Sequence, residues 1–395
     1  AWPSRTPYSQ NQIIGHTNTP SFIPHSHRKI HSGRARLLLF LNLPAGGSPP
    51  NRMPHPPNCH RPAPQTPSMS LSRHDASGWF DLADWRKLKL FQKRFSGESL
   101  VMKTQVKALV VGGGAVGTSI AYHLARAGWD DVMLLERDEL TSGSTWHAAG
   151  LLPYFNMSYA TTHIHDYSIR FYKTLEEETG LNAGFAVVGN LRMAQTDERM
   201  DEYMLYASTA ETCGVPYTFM SPDEIKAKWP LIRTEDLKGA IYHQTDGYIN
   251  PADVTMAMAK GARQRGVMIE RKWQADAFHW NGTHWEVTAT KMIEKGGNLV
   301  PSDEKIVITA EHVVTASGNH AQRTAKMLGI KMPAIPVEHQ FIVMDQDPAL
   351  VEFRKQEGNV EHPVIRDADA QSYVREERGG WILGVYEKDA PACFE

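Results

Sequence analysis

The sequence predicts an α/β fold, and three features of its 395 residues support that prediction. Residues 106–111 form a short apolar run rich in β-branched side chains, which is typical of a buried strand. A glycine-rich turn, a helical pattern and a second apolar strand at 131–135 follow in that order. Farther along the chain, residues 335–344, 371–375 and 381–386 have the composition of strands in an antiparallel sheet.

The composition is that of a globular protein with a sizeable core, because 41% of its residues are hydrophobic. The formal net charge of −2 gives no overall field that would attract nucleic acid or a membrane surface, so we expect neither as a partner. The longest apolar run, residues 37–41, is far too short to span a membrane. Cys59, Cys213 and Cys393 lack metal-ligand spacing, which predicts no metal site and a reducing compartment.

The first hundred residues differ in composition from the rest of the chain. Residues 1–74 contain no Asp or Glu and hold 13 of the 24 prolines, so they cannot bury enough apolar surface to offset the entropy of folding. We predict that residues 1–101 are a disordered extension outside the natural enzyme, which would start near Met102. That interpretation predicts a cytoplasmic enzyme of bacterial type. The alternative is an organelle transit peptide and a mitochondrial matrix enzyme.

The glycine-rich turn that follows the first strand matches the pattern G-x-G-x-x-G of dinucleotide-binding proteins. In this pattern Gly112 permits the tight turn, Gly114 lets the backbone approach a pyrophosphate, and Gly117 lets helix and strand pack closely. The helix that begins at Ala115 and Val116 offers free N–H groups and a positive dipole end to the phosphates. The flanking strand and helix therefore predict a dinucleotide site.

An acidic residue ends the second strand, and a long polar loop follows it. Glu136 lies nineteen residues after Gly117, where a carboxylate accepts hydrogen bonds from the ribose of either FAD or NAD. Residues 137–150 are polar and small and do not return quickly to a third strand. This loop favours FAD, because that cofactor extends beyond its first nucleotide. A nicotinamide-dependent dehydrogenase is the alternative.

From Lys103 to its last residue, the chain resembles the dimethylglycine and sarcosine dehydrogenase family of D-amino-acid-oxidase-like flavoproteins. The most specific motif is Ser-Thr-Trp-His-Ala-Ala-Gly, which ends the polar loop. The resemblance rests on residues 111–117, 140–150, 175–180, 246–251 and 364–367. It implies a Rossmann-type FAD-binding domain interleaved with an α+β antiparallel substrate domain.

The resemblance also implies how FAD is held. His147 would carry the flavin through a covalent bond to the 8α-methyl group, and an imidazole nitrogen is a competent nucleophile once it is neutral. The backbone of Ala275 would meet the adenine, and the turn that contains Ala316 and Gly318 would pass beside the pyrophosphate. Further cofactor contacts are expected from Arg137, Ser144 and Thr145.

The activity implied by the resemblance is oxidative demethylation of a small N-methylated glycine derivative, with a hydride equivalent passing from the N-methyl carbon to FAD N5. We expect Tyr242 or His243 to lie over the flavin, and Arg366 or Arg375 to hold the substrate carboxylate. An electron-transfer flavoprotein or O₂ would accept the electrons. Tetrahydrofolate would take part only through a C-terminal domain absent here. Oxidation of another secondary or tertiary amino acid is the alternative.

The family continues beyond the last residue of this chain. We therefore expect residues 102–395 to be an incomplete oxidoreductase domain that is inactive alone, or a non-catalytic FAD-binding fragment. Its expected nucleotide-binding parts are about 103–165 and 250–330, and its substrate-domain parts are about 185–249 and 331–395.

Several further elements are predicted between these motifs. Residues 168–180 have the pattern of an amphipathic helix, and residues 267–270 that of another strand of the nucleotide-binding sheet. Residues 285–290 and 305–310 alternate and predict a hairpin, with an exposed loop at 291–303. A buried strand that runs into a small-residue turn is predicted at 312–318.

Overall fold

The computed structural model describes residues 102–156, 158–358 and 360–393, so the predicted extension at 1–101 lies outside the described residues. The strands are β1 (Gln105–Val111), β2 (Val132–Leu135), β3 (Leu151–Leu152), β4 (Ala186–Val187), β5 (Asn190–Ala194), β6 (Thr218–Met220), β7 (Gly239–His243), β8 (Gly247–Tyr248), β9 (Met268–Glu270), β10 (Trp273–Trp280), β11 (Trp285–Lys295), β12 (Asn298–Thr315), β13 (Phe341–Val343), β14 (Val364–Asp367), β15 (Ser372–Glu377) and β16 (Gly380–Val385). The helices are α1 (Ala115–Arg126), α2 (Tyr159–Thr179), α3 (Asp197–Thr212), α4 (Pro222–Lys228), α5 (Pro251–Gln264), α6 (Ala321–Met327) and α7 (Pro348–Gln356), and a 3₁₀ turn spans Gly318–His320.

The first sheet leads into the glycine-rich turn. Its strands are ordered β10-β11-β12-β1-β2-β9, and the β12-β1-β2-β9 part is parallel. Val110 and Leu134 pack with helices α1, α2 and α5 on one face, whereas Leu109 and Met133 pack with residues of β10 and β11 on the other. Both faces of β1 are therefore buried, which explains its nearly continuous apolar sequence. The predicted α/β fold is confirmed, as are its first two strands and the strand at 267–270.

The hairpin of β11 and β12 is longer than predicted. Both strands continue to the turn at Gly296 and Gly297, so the expectation of an exposed loop at 291–303 is wrong. These glycines have φ of +61° and +78°, and two left-handed residues can close an antiparallel pair in a two-residue turn. The strand predicted at 312–318 ends at Thr315 and is exposed there. It is less buried than expected because β1 alone pairs with that stretch among the described residues.

Helix α2 begins well before the predicted start at residue 168. The Ser158 hydroxyl accepts a hydrogen bond from the Thr161 amide at 3.4 Å and caps the helix there. Gly180, with φ of +67°, ends the helix as predicted. The additional turns at its start are partly exposed. The apolar pattern of these turns is weak, so the helical periodicity of the sequence does not predict them.

The second sheet has the order β13-β16-β15-β14-β5-β7-β6. Its neighbouring strands are antiparallel except β14 and β5, which run parallel. The predicted strand at 335–344 is reduced to β13, because residues 336–338 pair with residues 391–393 and not with β16. A small third sheet, β3-β8-β4, follows the polar loop. In the stretches that the structure describes, no helix is both long and apolar enough to cross a membrane.

Candidate functional site

Three backbone segments converge where β1, α1 and β12 meet. Gly112 has φ of +117° as the chain leaves β1, and the amide of Ala316 donates to the carbonyl of Val111 at 2.7 Å. A Cβ atom at Gly112 would lie 2.3 Å from the carbonyl oxygen of Ala316. A Cβ atom at Gly117 would lie 1.9 Å from the carbonyl oxygen of Gly112. Both positions require glycine, since any side chain would push these segments apart.

The N-terminus of α1 faces the polar loop. Gly114 is the N-cap residue and has no side-chain acceptor, while the amide of Ala115 donates to the Thr145 hydroxyl at 3.1 Å. A Cβ atom at Gly114 would lie 2.9 Å from that hydroxyl. Val116 is 65% exposed, so the first turn of the helix is open to a ligand. First-turn amides and the positive end of the helix dipole together favour a bound anion.

Glu136 directly follows β2 and has a buried carboxyl group. One oxygen accepts from the amide of Gly113 at 2.6 Å, and the other accepts from the amide of Asp138 at 2.8 Å. Burial raises the pKa of Glu136, and these two amides oppose the rise. A carboxylate accepts about four hydrogen bonds, so acceptor capacity is left for a ribose diol. The amide of Trp273 donates to the Glu136 carbonyl at 2.9 Å, so β10, which contains Ala275, starts beside this carboxylate.

Arg137 connects the polar loop to the end of β12. Its Nη1 donates to Nε2 of His320 at 3.1 Å. Burial, followed by the charges of Arg137 and Arg323, lowers the pKa of His320, so the imidazole is neutral and able to accept this bond. Gly318, with φ of +54°, begins the 3₁₀ turn that contains His320. The structure thus brings together the predicted residues Arg137, Ala316 and Gly318.

The polar loop exposes His147 and Ser144. The Nδ1 of His147 donates to the carbonyl of Gly143 at 3.0 Å, and its ring packs against Trp146 with 4.2 Å between centroids. In the neutral imidazole, donation from Nδ1 leaves the lone pair of Nε2 free. That nitrogen is therefore suited to bond formation, and the exposed ring is open to a large partner.

Arg375 joins the second sheet to the polar loop. Its Nε donates to the carbonyl of Ala149 at 2.7 Å, and its Nη1 donates to the carbonyl of Glu376 at 2.7 Å. Nη1 also lies 2.8 Å from the Glu377 carboxylate, and the guanidinium lies 4.6 Å from the ring centroid of Tyr248. Arg375 is buried, and these protein groups engage its Nε and Nη1. Its predicted role at a substrate carboxylate stays a prediction.

Tyr242 and His243 point to opposite faces of the second sheet, as consecutive strand residues do. Tyr242 packs with Trp229 in a hydrophobic cluster, with 5.2 Å between ring centroids. His243 is completely buried and stacks on Phe155 at 5.1 Å, on the face that also contains Arg375. The structure therefore separates the two predicted catalytic residues, and neither is open to a ligand in the way that His147 is.

Two charged residues without a predicted role are buried near His243. Asp246 is fully buried and accepts from the amide of Tyr154 at 2.9 Å and from Asn190 Nδ2 at 3.1 Å. Arg192 lies in β5, is 9% exposed, and is close enough to Asp246 for their charges to interact. The available signal in the sequence was a charged residue among the apolar residues 191–194 of β5.

We expect Asp246→Asn to change how stability depends on pH. Burial raises the pKa of Asp246 to about 6, so between about pH 4 and 6 the folded state holds this proton more tightly than the unfolded state. The Asp246 contribution to stability therefore falls as pH rises. Burial, followed by the charge of Arg192, lowers the pKa of His243 to about 4, so the His243 contribution rises with pH between about 4 and 6.5. The two contributions oppose each other.

Removing Asp246 leaves the His243 contribution unopposed. The unfolding free energy of Asp246→Asn minus that of the wild type should increase with pH between about pH 4 and 6. The increase should be up to about 1.4 kcal/mol per pH unit. Urea unfolding at several pH values measures this difference. Asp130→Asn is the control, because the Asp130 side chain is 88% exposed. Parallel pH profiles for Asp246→Asn and the wild type would contradict the prediction.

Comparisons with known proteins identify a family match over most of the described chain. The family model DAO, described as FAD dependent oxidoreductase, matches residues 107–393. The chain is 38% identical to rat dimethylglycine dehydrogenase over 285 residues, which cover 72% of this chain and 31% of that protein. It is 31% identical to human sarcosine dehydrogenase over 292 residues, which cover 74% of this chain and 30% of that protein. Both relatives are named as mitochondrial proteins, and the chain spans less than a third of either.

A solved structure has the same fold. The crystal structure of L-proline dehydrogenase from P. horikoshii superposes with a TM-score of 0.62 and 23% sequence identity. The match covers 74% of this chain and 73% of that one. At this identity the similarity supports the fold alone. The resemblance inferred from the sequence motifs is confirmed by the family match and by the two curated relatives.

Proposed function

Because the chain belongs to the DAO family of FAD dependent oxidoreductases, we propose that it is the flavin-binding part of an enzyme that oxidises the N-methyl group of a small amino acid. The names of the two curated relatives, dimethylglycine dehydrogenase and sarcosine dehydrogenase, support this substrate class. The observation that carries the proposal is the open N-terminus of α1 beside the buried Glu136 and the exposed His147. The N-terminus of α1 suits a pyrophosphate, Glu136 suits a ribose diol, and His147 suits a flavin ring.

The residues present fit FAD. The turn with Gly112, Gly114 and Gly117 would hold the pyrophosphate against the first amides of α1, where a Cβ atom would intrude. Glu136 would accept from the ribose, and the backbone of Ala275 would meet the adenine. The chemistry that FAD supplies is acceptance of a hydride equivalent from the N-methyl carbon. Other proposed contacts come from Ala115, Val116, Arg137, Ser144, Thr145, Ala316 and Gly318.

His147 is proposed as the covalent attachment point. Its Nε2 is the unprotonated nitrogen when Nδ1 donates to Gly143, and Arg375 holds the carbonyl of Ala149 two residues farther along. The loop is thereby anchored to the second sheet, which limits where the imidazole can lie. We further propose an electron-transfer flavoprotein or O₂ as the electron acceptor. A tetrahydrofolate-binding domain would have to lie outside this chain.

Anaerobic reduction of bound flavin tests the proposed activity. The test uses this chain and a fusion protein that adds the part of rat dimethylglycine dehydrogenase beyond the matched segment. Dimethylglycine or sarcosine should bleach the flavin of the fusion protein, whereas glycine, which has no N-methyl group, should not. A fusion protein with full FAD content that no N-methyl amine reduces would contradict the proposal. Bleaching of the chain alone would contradict our expectation that residues 102–395 are inactive alone.

A further inference from the structure

Two acidic side chains follow β2 in close succession. Glu136 is buried, and its Oε1 accepts a hydrogen bond from the amide of Asp138 at 2.8 Å. Burial raises the pKa of Glu136; the amide of Asp138 opposes that rise, whereas the negative charge of the Asp138 carboxylate adds to it. A carboxylate that accepts hydrogen bonds from a ribose diol has to be ionised. The charge of Asp138 must therefore be offset if Glu136 is to bind a ribose.

Lys272 offsets that charge from the turn between β9 and β10. Its Nζ donates to Oδ1 of Asp138 at 2.8 Å, and it also lies 3.2 Å from an oxygen of Glu294 and 3.5 Å from an oxygen of Glu139. The hydrogen bond to Asp138 is the main cause of the raised pKa of Lys272, so the ammonium keeps its charge at neutral pH. The Lys272 side chain is 23% exposed, so solvent screens this ion pair only in part.

The backbone of Lys272 is fixed beside Glu136. The amide of Glu136 donates to the carbonyl of Glu270 at 2.8 Å, and the amide of Trp273 donates to the carbonyl of Glu136 at 2.9 Å. The carbonyl of Lys272 accepts from the amide of Met292 at 2.7 Å. Both ends of the β9–β10 turn are thus bonded to Glu136 itself, so a displacement of Lys272 would also displace the carboxylate.

Lys272 has a backbone conformation that glycine would adopt more readily. Its φ is +63°, in the left-handed region, where a Cβ atom is crowded. A residue in this region persists where its surroundings fix it, and such residues are frequent at functional sites. The hydrogen bonds that fix this turn come from the backbone, so glycine could form them as well. What glycine could not supply is the ammonium group that contacts Asp138.

No other cation in the described stretches forms an ion pair with Asp138. Arg137, its neighbour in sequence, lowers the pKa of Glu136 but reaches the end of β12 with its Nη1. Arg271 pairs with Glu139 instead. The glycine-rich turn and the first turn of α1 offer backbone amides and no acidic side chain. Compensation of the second acid therefore depends on the lysine of the β9–β10 turn.

We propose that Lys272 is a positioning residue for the adenosine ribose, acting through Asp138 to keep the Glu136 carboxylate ionised and directed at the diol. This inference rests on the proposed function, which places the ribose of FAD at Glu136. It deepens that function because it assigns the selection of nucleotides with an intact ribose diol to a residue that does not touch the nucleotide. Removing the charge of Lys272 should weaken the ribose contact and leave the contacts of the pyrophosphate with α1 intact.

Calorimetric titration with ADP and with 2′,3′-dideoxy-ADP separates the ribose contact from the rest of the nucleotide. All proteins carry His147→Ala, which removes the proposed tether, so that FAD can be dialysed away first. In Lys272→Met the Kd for ADP should rise about fivefold, which is part of what a charged hydrogen bond contributes, whereas the Kd for dideoxy-ADP should stay unchanged. Lys272→Arg retains the charge and should bind ADP normally. Lys295→Met is the matched control, because Lys295 is exposed in the neighbouring strand β11.

The pH dependence of binding distinguishes a positioning role from a merely structural one. The preference for ADP over dideoxy-ADP requires an ionised Glu136, so it should fall as the pH is lowered. In Lys272→Met the charge of Asp138 is uncompensated, so the midpoint of that fall should move to higher pH by about half a unit. The double variant Lys272→Met/Asp138→Asn should return the midpoint toward the wild-type value, because it removes the second carboxylate and keeps the backbone amide.

The outcomes separate this inference from the proposed function. An ADP preference and a midpoint that are both unchanged in Lys272→Met would overturn the inference. Equal losses of affinity for ADP and dideoxy-ADP, with the wild-type midpoint, would show that Lys272 is only structural, and a double variant that keeps the shifted midpoint would exclude the route through Asp138; either result overturns it.

The nucleotide preference also tests the premise. If the protein with Lys272 intact shows no preference for ADP at any pH, the proposed contact between Glu136 and the ribose is rejected, and the inference with it. A preference for ADP that depends on Lys272, together with a fusion protein that no N-methyl amine reduces, would retain the inference and reject the proposed substrate class.

Discussion

Replacing His147 by alanine is expected to leave the protein without acid-stable flavin. In the structure the Nδ1 of His147 donates to the carbonyl of Gly143, so the lone pair of Nε2 is free for a bond to carbon. Alanine has no nucleophile, and the neighbouring side chains Trp146 and Ser144 supply none of comparable strength at neutral pH. The flavin that survives acid precipitation should therefore fall from about one per chain to none.

The measurement is fluorescence of the washed pellet after acid precipitation of the FAD-loaded protein. His284→Ala is a suitable control, because His284 is a partly exposed histidine that bonds only within its own turn. It should retain wild-type flavin in the pellet. Flavin confined to the supernatant of the wild type would show that the proposed tether does not exist. Flavin retained by His147→Ala would assign the tether to another residue.

Gly117→Ala should destabilise the fold and remove FAD binding together. The new methyl group would lie 1.9 Å from the carbonyl oxygen of Gly112. That oxygen belongs to the backbone and cannot rotate away as the end of a side chain could, so α1 must shift away from β1. Overpacking of this kind costs about 3 kcal/mol, which is a large part of the stability of an average domain. The same shift would open the turn that is proposed to hold the pyrophosphate.

Urea unfolding and the FAD content of the purified protein measure both effects. Gly143→Ala is the matched control: a Cβ atom there meets nothing within 4 Å, and the residue does not have positive φ. We expect Gly143→Ala to unfold at the wild-type urea concentration and to bind FAD normally. A Gly117→Ala protein with unchanged stability and FAD content would contradict the packing described for the glycine-rich turn.

Features that depend only on residues close together in the sequence could be predicted from it. The glycine-rich turn, its flanking strand and helix, and the acid at the end of β2 were identified because backbone sterics and side-chain periodicity operate over a few residues. The long hairpin does not follow from the sequence, because the residues on either side of its two glycines also suit an exposed loop. Strand β13 is shorter than the apolar pattern predicts, because residues 336–338 pair with the distant residues 391–393.

The sequence by itself determined the type of fold, the glycine-rich turn and the polar loop with His147. Only the tertiary structure decided which arginines of the second sheet become neighbours. Arg192 and Arg366 are far apart in the chain and become neighbours through the parallel pairing of β5 and β14. That register depends on how whole strands pack on their neighbours, and a shift of one strand by one residue would put the two side chains on opposite faces of the sheet. The partner of the Arg375 Nε, the carbonyl of Ala149, is likewise contributed by a distant segment, so no local pattern could reveal that contact.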